Sequence, residues 1–111
     1  MAYDEELAIR VRTHLSIAGE VVERRMMGAL CFMLHGHMCC GVTGNALMVR
    51  VGRDDYEAAL EEDHVRPMDI SGRILRGFVL VDPPGVKTGR SLRFWIGRAC
   101  GLVSTLPARE G

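Results

Sequence analysis

The segment from Cys31 to Cys40 holds the densest group of chemically reactive side chains in the sequence. Five of them are of the types that soft metals prefer: Cys31, His35, His37, Cys39 and Cys40. If Gly36 lies in a hairpin turn, His35 and His37 flank that turn and can point to one face. Cys31 and Cys39 would then lie on facing strands, within reach of the same ion.

Other features of this segment favour a structural role. The spacing matches none of the usual zinc-ribbon or zinc-finger patterns, and cysteine is among the residue types most often buried. We therefore expect no metal and no cofactor. Metal or small-ligand binding by the Cys31–Cys40 hairpin, with Cys31, His35, His37 and Cys39 as ligands, is the alternative.

Thiol catalysis would need Cys39 or Cys40 as the nucleophile and His35 or His37 as its base. A reactive thiolate usually lies at a helix N-terminus, beside a cation or in a Cys-x-x-Cys arrangement. Only the nearby histidines meet any of these conditions. We expect no catalytic residues and four reduced thiols, as is usual in the cytoplasm.

Helical spacing of apolar residues predicts two long helices, one at each end of the chain. The first runs from Asp4 to Ala18, with acidic residues in its first turn and Gly19 just past its end. The last ends at Pro107 and carries Gly97 and Gly101, which favour close packing against the sheet or a second copy. Its apolar positions are Leu92, Trp95, Ile96, Ala99, Val103 and Leu106.

A short acidic helix is expected after Asp54-Asp55, which can cap it, with Tyr56, Ala59 and Leu60 turned inward.

Strands are expected between these helices. Short apolar runs separated by glycines from Val21 to Val51 predict an antiparallel meander, and Leu75 to Val81 predicts a later strand. The run Ala29 to Leu34 is apolar at both parities, as in a strand covered on both faces. In contrast, Leu47, Val49 and Val51 alternate with Met48 and Arg50, which predicts a half-exposed edge strand. Pro67 excludes its own segment from a central position.

The order helix, strands, helix, strands, helix predicts an α+β fold, a small antiparallel sheet with helices packed on it. With 111 residues and 48% hydrophobic residues, the chain can form one domain spanning residues 1–111. We expect Leu30, Phe32 and Val79 to share its core, because they belong to the two most apolar strands.

The overall charge limits the classes of partner. The sequence has 14 basic and 14 acidic residues, so it lacks the net positive charge that sustains non-specific affinity for nucleic acids. We therefore expect no direct DNA binding by this domain alone. The acidic start and the absence of a long apolar run predict a cytoplasmic protein without a membrane segment.

Charge is unevenly distributed along the chain. Residues 54–63 carry six acidic side chains, whereas residues 66–98 carry seven basic side chains against Asp69 and Asp82. Such a split suits electrostatic docking to another protein. We expect a partner surface that includes Arg66, Arg73 and Arg76.

Several motifs are distributed along the chain: Arg24-Arg25-Met26-Met27-Gly28-Ala29-Leu30, His35-Gly36-His37-Met38, Leu47-Met48-Val49-Arg50-Val51, Arg66-Pro67-Met68, Arg76-Gly77-Phe78-Val79-Leu80-Val81-Asp82-Pro83 and the Trp95 helix ending in Leu106-Pro107. Together they resemble the TfoX N-terminal domain family of the TfoX/Sxy competence regulators. The resemblance covers nearly the whole chain. Met27 and Ala29 replace the Phe and the second Gly of the family's first turn.

The resemblance implies a non-enzymatic regulatory or adaptor domain. Longer members of the family carry a further helical domain and act in bacterial competence as coactivators with a cyclic-AMP-responsive transcription factor. This chain ends at Gly111, so it is similar to the standalone branch. The family has no catalytic residues to transfer. The resemblance thus implies transcription- or competence-type regulation through a protein partner, and homodimer formation is a further option.

Overall fold

The structure, a computed structural model, describes residues 3–26, 28–70 and 72–107, with the backbone alone at Ile70. Its helices are α1 (Glu5–Leu15), α2 (Tyr56–Leu60) and α3 (Gly89–Val103), with a 3₁₀ turn at Pro83–Val86. Its strands are β1 (Val21–Met26), β2 (Ala29–Leu34), β3 (His37–Thr43), β4 (Ala46–Arg50), β5 (Val65–Ile70) and β6 (Arg73–Val81). The predicted α+β order is confirmed.

Local sequence signals determine where the long helices begin. The Asp4 carboxylate accepts a hydrogen bond from the backbone N–H of Leu7, and this cap starts α1. At α3, Thr88 and Ser91 form a reciprocal capping box. The expected cap of α2 is not formed, because Asp55 stands at the N-cap position without a side-chain hydrogen bond.

The six strands form one antiparallel sheet in the order β1-β2-β3-β4-β6-β5. The first four strands make the predicted meander. After β4 the chain crosses through α2 to the far edge, where β6 is the single partner of β5 among the described strands. This edge position agrees with the restriction that Pro67 imposes.

The prediction for β4 is wrong. It is not an edge strand, because it lies between β3 and β6 and is paired on both sides. Met48, expected on the exposed side, is only 1% exposed. The alternation of Leu47, Met48, Val49 and Arg50 therefore marks two differently packed faces of a central strand.

One face of the sheet forms the main core. Leu30, Phe32, Val49 and Val79 lie there beneath the apolar faces of the helices, which include Leu7, Val11, Trp95 and Ile96. The prediction that Leu30, Phe32 and Val79 share one core is confirmed. A smaller cluster on the opposite face is built from strand residues, and none of the described helix residues belongs to it. We call this side of the sheet the open face.

Polar contacts connect the helices to each other and to the sheet. The guanidinium of Arg98, on α3, pairs with Glu62 just after α2 and stacks over Trp95, 4.7 Å from the ring centroid. Arg12, on α1, makes two hydrogen bonds to the carboxylate of Glu23 on β1, and the hydrogen bond holds the pKa of Glu23 below its usual range. These contacts fix the helices on the main-core face.

Gly97 and Gly101 do not pack against the sheet, so that part of the expectation is wrong, whereas packing against a second copy stays a prediction. Both are exposed, and a Cβ added at either position would meet no atom within 4 Å. The apolar residues of α3 that contact the core lie on its other side. Among the described helices, none combines the length and apolar character needed to cross a membrane.

Truncation of Phe32 tests the main core. The ring is fully buried, so Phe32→Ala removes a large side chain and leaves a cavity. We expect a loss of about 3–5 kcal/mol in the free energy of unfolding, measured with denaturant. Ile17→Ala, at a side chain that is 92% exposed, is the control and should change the free energy by less than about 0.5 kcal/mol. A loss below about 1 kcal/mol for Phe32→Ala would contradict this core.

Candidate functional site

The Cys31–Cys40 segment forms the expected hairpin. Leu34 pairs with His37, which leaves His35 and Gly36 as a two-residue loop, and both have positive φ angles of 54° and 81°. Such angles are typical of the tight turns that match the twist of paired strands. His35 is exposed at the tip of the loop, whereas His37 is buried and hydrogen-bonds the carbonyl oxygen of Pro107 at 2.6 Å. The two histidines therefore have different surroundings.

A β-bulge determines where the cysteines of β3 lie. Phe32 pairs with Cys40 and Met33 pairs with Met38, so Cys39 is an extra residue in β3 without a partner on β2. Because of this insertion, Cys39 and Cys40 both reach the main core, although neighbouring residues of a regular strand point to opposite faces.

The structure does not bring the candidate metal ligands together. Cys31 belongs to the open-face cluster, on the opposite side of the sheet from Cys39. His35 is exposed, and the ring of His37 is bonded to Pro107. No group of three or more metal-ligating side chains occurs within the described residues. The idea that Cys31 and Cys39 can share an ion is thus not supported by their geometry.

A thiol pair links β3 to α3 instead. The sulfur atoms of Cys39 and Cys100 are 3.7 Å apart, and all four cysteines are present as thiols. Contact with Cys100 lowers the pKa of Cys39, but contact with Cys40 and burial outweigh this effect and raise the pKa to about 12. The hydrogen bond to Cys39, together with burial, also raises the pKa of Cys100. These thiols are protonated at neutral pH and are poor nucleophiles.

The open face offers a different kind of chemistry. The five methionines in the described part of the chain all lie there: Met26, Met33, Met38, Met48 and Met68. Met26 is assigned to this face because it is paired with Ala29, and directly paired residues share a face. Met33, Met38, Leu75 and Phe78 are partly exposed around a buried centre. This is an apolar surface of flexible side chains.

Arginines border this surface. Arg50 lies over the ring of Phe78, with 5.3 Å between its Cζ and the ring centroid. Arg24 is paired with Cys31 and Arg66 with Leu80, so both belong to the open face. Arg66 also binds the carboxylate of Asp82 at 3.0 Å.

The three arginines expected at a partner surface are all exposed. Arg66 is on β5, while Arg73 and Arg76 are on the first half of β6. Leu75 and Phe78, expected to be buried beside them, are partly exposed. This arrangement places cationic and apolar groups next to each other at one edge of the sheet.

Comparison with known families agrees with the motifs. The model of the TfoX N-terminal domain matches residues 13–101, from the end of α1 through most of α3. The chain belongs to the TfoX N-terminal domain family. No curated protein and no solved structure matched the chain.

The first turn of the TfoX domain departs from the family pattern at two positions. Ala29, in place of the second Gly, is the first residue of β2 and has its side chain buried on the open face. A methyl group is therefore accommodated at this position. Met27, in place of the Phe, lies outside the described residues.

Two features of the site were missed by sequence reasoning. Cys100 is 61 residues from its partner Cys39, and no local pattern connects them. The second feature is the placement of the methionines on one face. Parity along β2 and β4 carries part of this signal, since Met33 and Met48 alternate with main-core residues.

The buried thiol of Cys39 predicts a specific pH dependence of stability. Its pKa is raised from an ordinary 9.0 to about 12, so the fold favours the protonated thiol. This stabilisation is fully present below pH 9 and is lost as the pH rises towards 12. We therefore expect the stability advantage of the wild type over Cys39→Ala to shrink by roughly 1 kcal/mol per pH unit above the ordinary pKa.

Denaturant unfolding of both proteins between pH 8 and 11 measures this effect, with the range chosen to bracket the onset of thiol titration. The comparison cancels the titration of tyrosines and of other shared groups that do not contact Cys39. Because Cys100 loses its hydrogen bond to Cys39 in the variant, the difference reports on the thiol pair. A stability difference that does not change with pH would contradict the assignment.

Proposed function

We propose that this chain is a non-enzymatic regulatory or adaptor domain that acts through a protein partner in transcription- or competence-type regulation. The observation that carries the proposal is the family match over residues 13–101. The placement of the reactive side chains supports it, because Cys39 and Cys40 are both buried and the pKa of Cys39 is raised to about 12. The domain is proposed to work by binding.

The proposed partner surface includes Arg66, Arg73 and Arg76. Arginine combines a planar set of donors with an apolar stem and is enriched at the centres of protein interfaces. Arg66 already binds Asp82, whereas Arg73 and Arg76 form no ion pair within the described residues. The guanidinium groups of Arg73 and Arg76 are therefore free to bind carboxylates of a partner.

Charge reversal at these positions tests the proposal. Arg76→Glu and Arg73→Glu change exposed side chains, so the melting temperature should stay the same. We expect Arg76→Glu to abolish, and Arg73→Glu to weaken, co-purification of the partner from cells that make the protein. Crosslinking followed by mass spectrometry identifies the captured protein and its contact residues.

Arg25→Glu is the matched control, since it reverses one exposed arginine on β1, at the other edge of the sheet. It should capture the partner as the wild type does. Unchanged capture by both the Arg73 and Arg76 variants would refute the proposed surface.

A second test concerns nucleic acid. A chain with no net charge lacks the overall attraction to phosphates that sustains affinity for nucleic acids, so affinity for DNA should be weak at physiological salt. We expect no sequence-specific binding of the purified domain, measured by fluorescence anisotropy with promoter fragments and a shuffled duplex. Tight, salt-resistant binding to a defined site would contradict a role through a protein partner alone.

A further inference from the structure

The open face is built differently from the main core. The main core contains leucine, valine and aromatic residues but none of the described methionines, all five of which lie on the open face. Methionine is unbranched and polarizable, and surfaces rich in it adapt to varied apolar partners. The difference concentrates adaptable side chains on the side that no described helix covers.

One row of paired residues crosses this face from edge to edge. Strand register places its members side by side on the six strands: Arg24, Cys31, Gly41, Met48, Leu80 and Arg66. An arginine thus stands at each edge, and the residues between are apolar, two of them small (Cys31 and Gly41) and two large (Met48 and Leu80). The row spans five strand spacings, about 24 Å.

Gly41 leaves room for the side chain of Met48 at the centre of this row. A Cβ at this position would lie 2.5 Å from the terminal methyl of Met48 and 2.7 Å from the carbonyl oxygen of Leu30. Any larger residue would displace Met48. Cys31 and Met48 are both buried beside Gly41, while Met33 and Met38 are partly exposed at one end of the face. The result is a shallow apolar floor with cationic borders.

Two of the bordering arginines have no anionic partner within the described residues. Arg24 is exposed, and the guanidinium of Arg50 lies over the ring of Phe78 and donates a hydrogen bond to the carbonyl oxygen of Met38 at 3.4 Å. The nearby Glu23 lies on the other face, where Arg12 binds it. The charge of the open face therefore favours an acidic ligand.

We propose that the open face is a docking groove for an acidic amphipathic helix of a partner protein. The proposal rests on the proposed function and adds to it the chemistry of the partner. The apolar side of the helix lies on the floor around Gly41 and Met48. Its flanking carboxylates bind Arg24 and Arg50.

The geometry favours a helix over other ligands. The inner strands of the sheet are paired on both sides, so the floor offers side chains rather than free backbone groups to an extended peptide. A helix with side chains is about 10–12 Å wide and fits between the bordering arginines. A second copy would bring one arginine-bordered face against another, and like charges oppose that contact. For nucleic acid, the face offers the ring of Phe78 as a surface for base stacking, and the side chains around it are flexible and apolar.

A peptide-display selection against the full chain tests the proposal. The library encodes helical peptides of about five turns, ~18 residues, with apolar residues on one side and random residues elsewhere. We expect the enriched peptides to carry Asp and Glu beside the apolar stripe. Binding of a synthesised copy of an enriched peptide should shift the methyl NMR signals of Met33, Met38 and Met48.

Neighbouring arginines on β1 provide the matched variants. Arg24→Glu changes the open face, whereas Arg25→Glu makes the same charge change on a residue paired with Leu30, on the main-core side. We expect Arg24→Glu and Arg50→Glu each to weaken peptide binding at least about tenfold, the size of effect reported for close charge pairs at interfaces. Arg25→Glu should change it less than about twofold, as expected of a charge outside the contact.

Several results would overturn the docking groove. They are a selection without enrichment, enriched peptides with basic flanks, unshifted methionine methyls, self-association through this face, or RNA or DNA binding that Arg24→Glu abolishes. Partner capture that is lost in Arg76→Glu but kept in Arg24→Glu and Arg50→Glu would remove this inference and leave the proposed function standing. Unchanged partner capture by the variants at Arg24, Arg50, Arg73 and Arg76 would instead remove both this inference and the proposed function.

Discussion

Six paired strands present successive side chains to opposite sides of the sheet, and the described helices cover only one of those sides. The same strands must therefore carry two sets of apolar residues, one for each face of the sheet. On the covered side, Phe32, Val49 and Val79 pack against α1 and α3 and form a dense core. On the other side, Met48 and Cys31 are buried in a cluster whose members, within the described part of the chain, are all strand residues. The position of β4 in the middle of the sheet makes both faces contiguous.

The same alternation explains why the reactive segment does not form a site. A regular β3 would have placed Cys39 and Cys40 on opposite faces, but one extra residue turns both towards the main core. Cys31 remains on the other face. Burial and thiol–thiol contacts then raise the pKa of Cys39 and of Cys100, so both thiols are poor nucleophiles at neutral pH. The cysteines act as small apolar residues that join β3 to α3.

Three of the described arginines form intramolecular ion pairs, and others do not. Arg12, Arg66 and Arg98 each bind a carboxylate of the chain and hold elements together. Arg24, Arg50, Arg73 and Arg76 have no such partner within the described residues. They border the open face or the neighbouring β5–β6 edge, which connects the proposed partner surface with the proposed groove. For a chain without net charge, this local excess favours a protein with acidic groups over a polyanion.

The sequence by itself determined the features that depend on local patterns. Helical periodicity located α1 and α3, glycine spacing located the meander, Pro67 excluded a central position for β5, and the motifs identified the family. Sequence also determined that Phe32 lies in a core, because its strand is apolar at both parities. Each of these signals involves residues within a few positions of one another, where backbone geometry alone relates spacing to direction.

Only the tertiary structure decided the arrangement of the two faces. Whether β4 is central depends on its pairing with β6, about 30 residues further along the chain, and the alternation of Met48 with Val49 fits an edge strand equally well. The contact between Cys39 and Cys100 depends on a bulge and on how α3 lies across the sheet. The outward position of Gly97 and Gly101 depends on which side of α3 packs against the sheet. Strand order, the thiol contact and the orientation of α3 all depend on burial between residues far apart in sequence. A strand or helix pattern shows that a face is apolar, but it does not show which element covers that face.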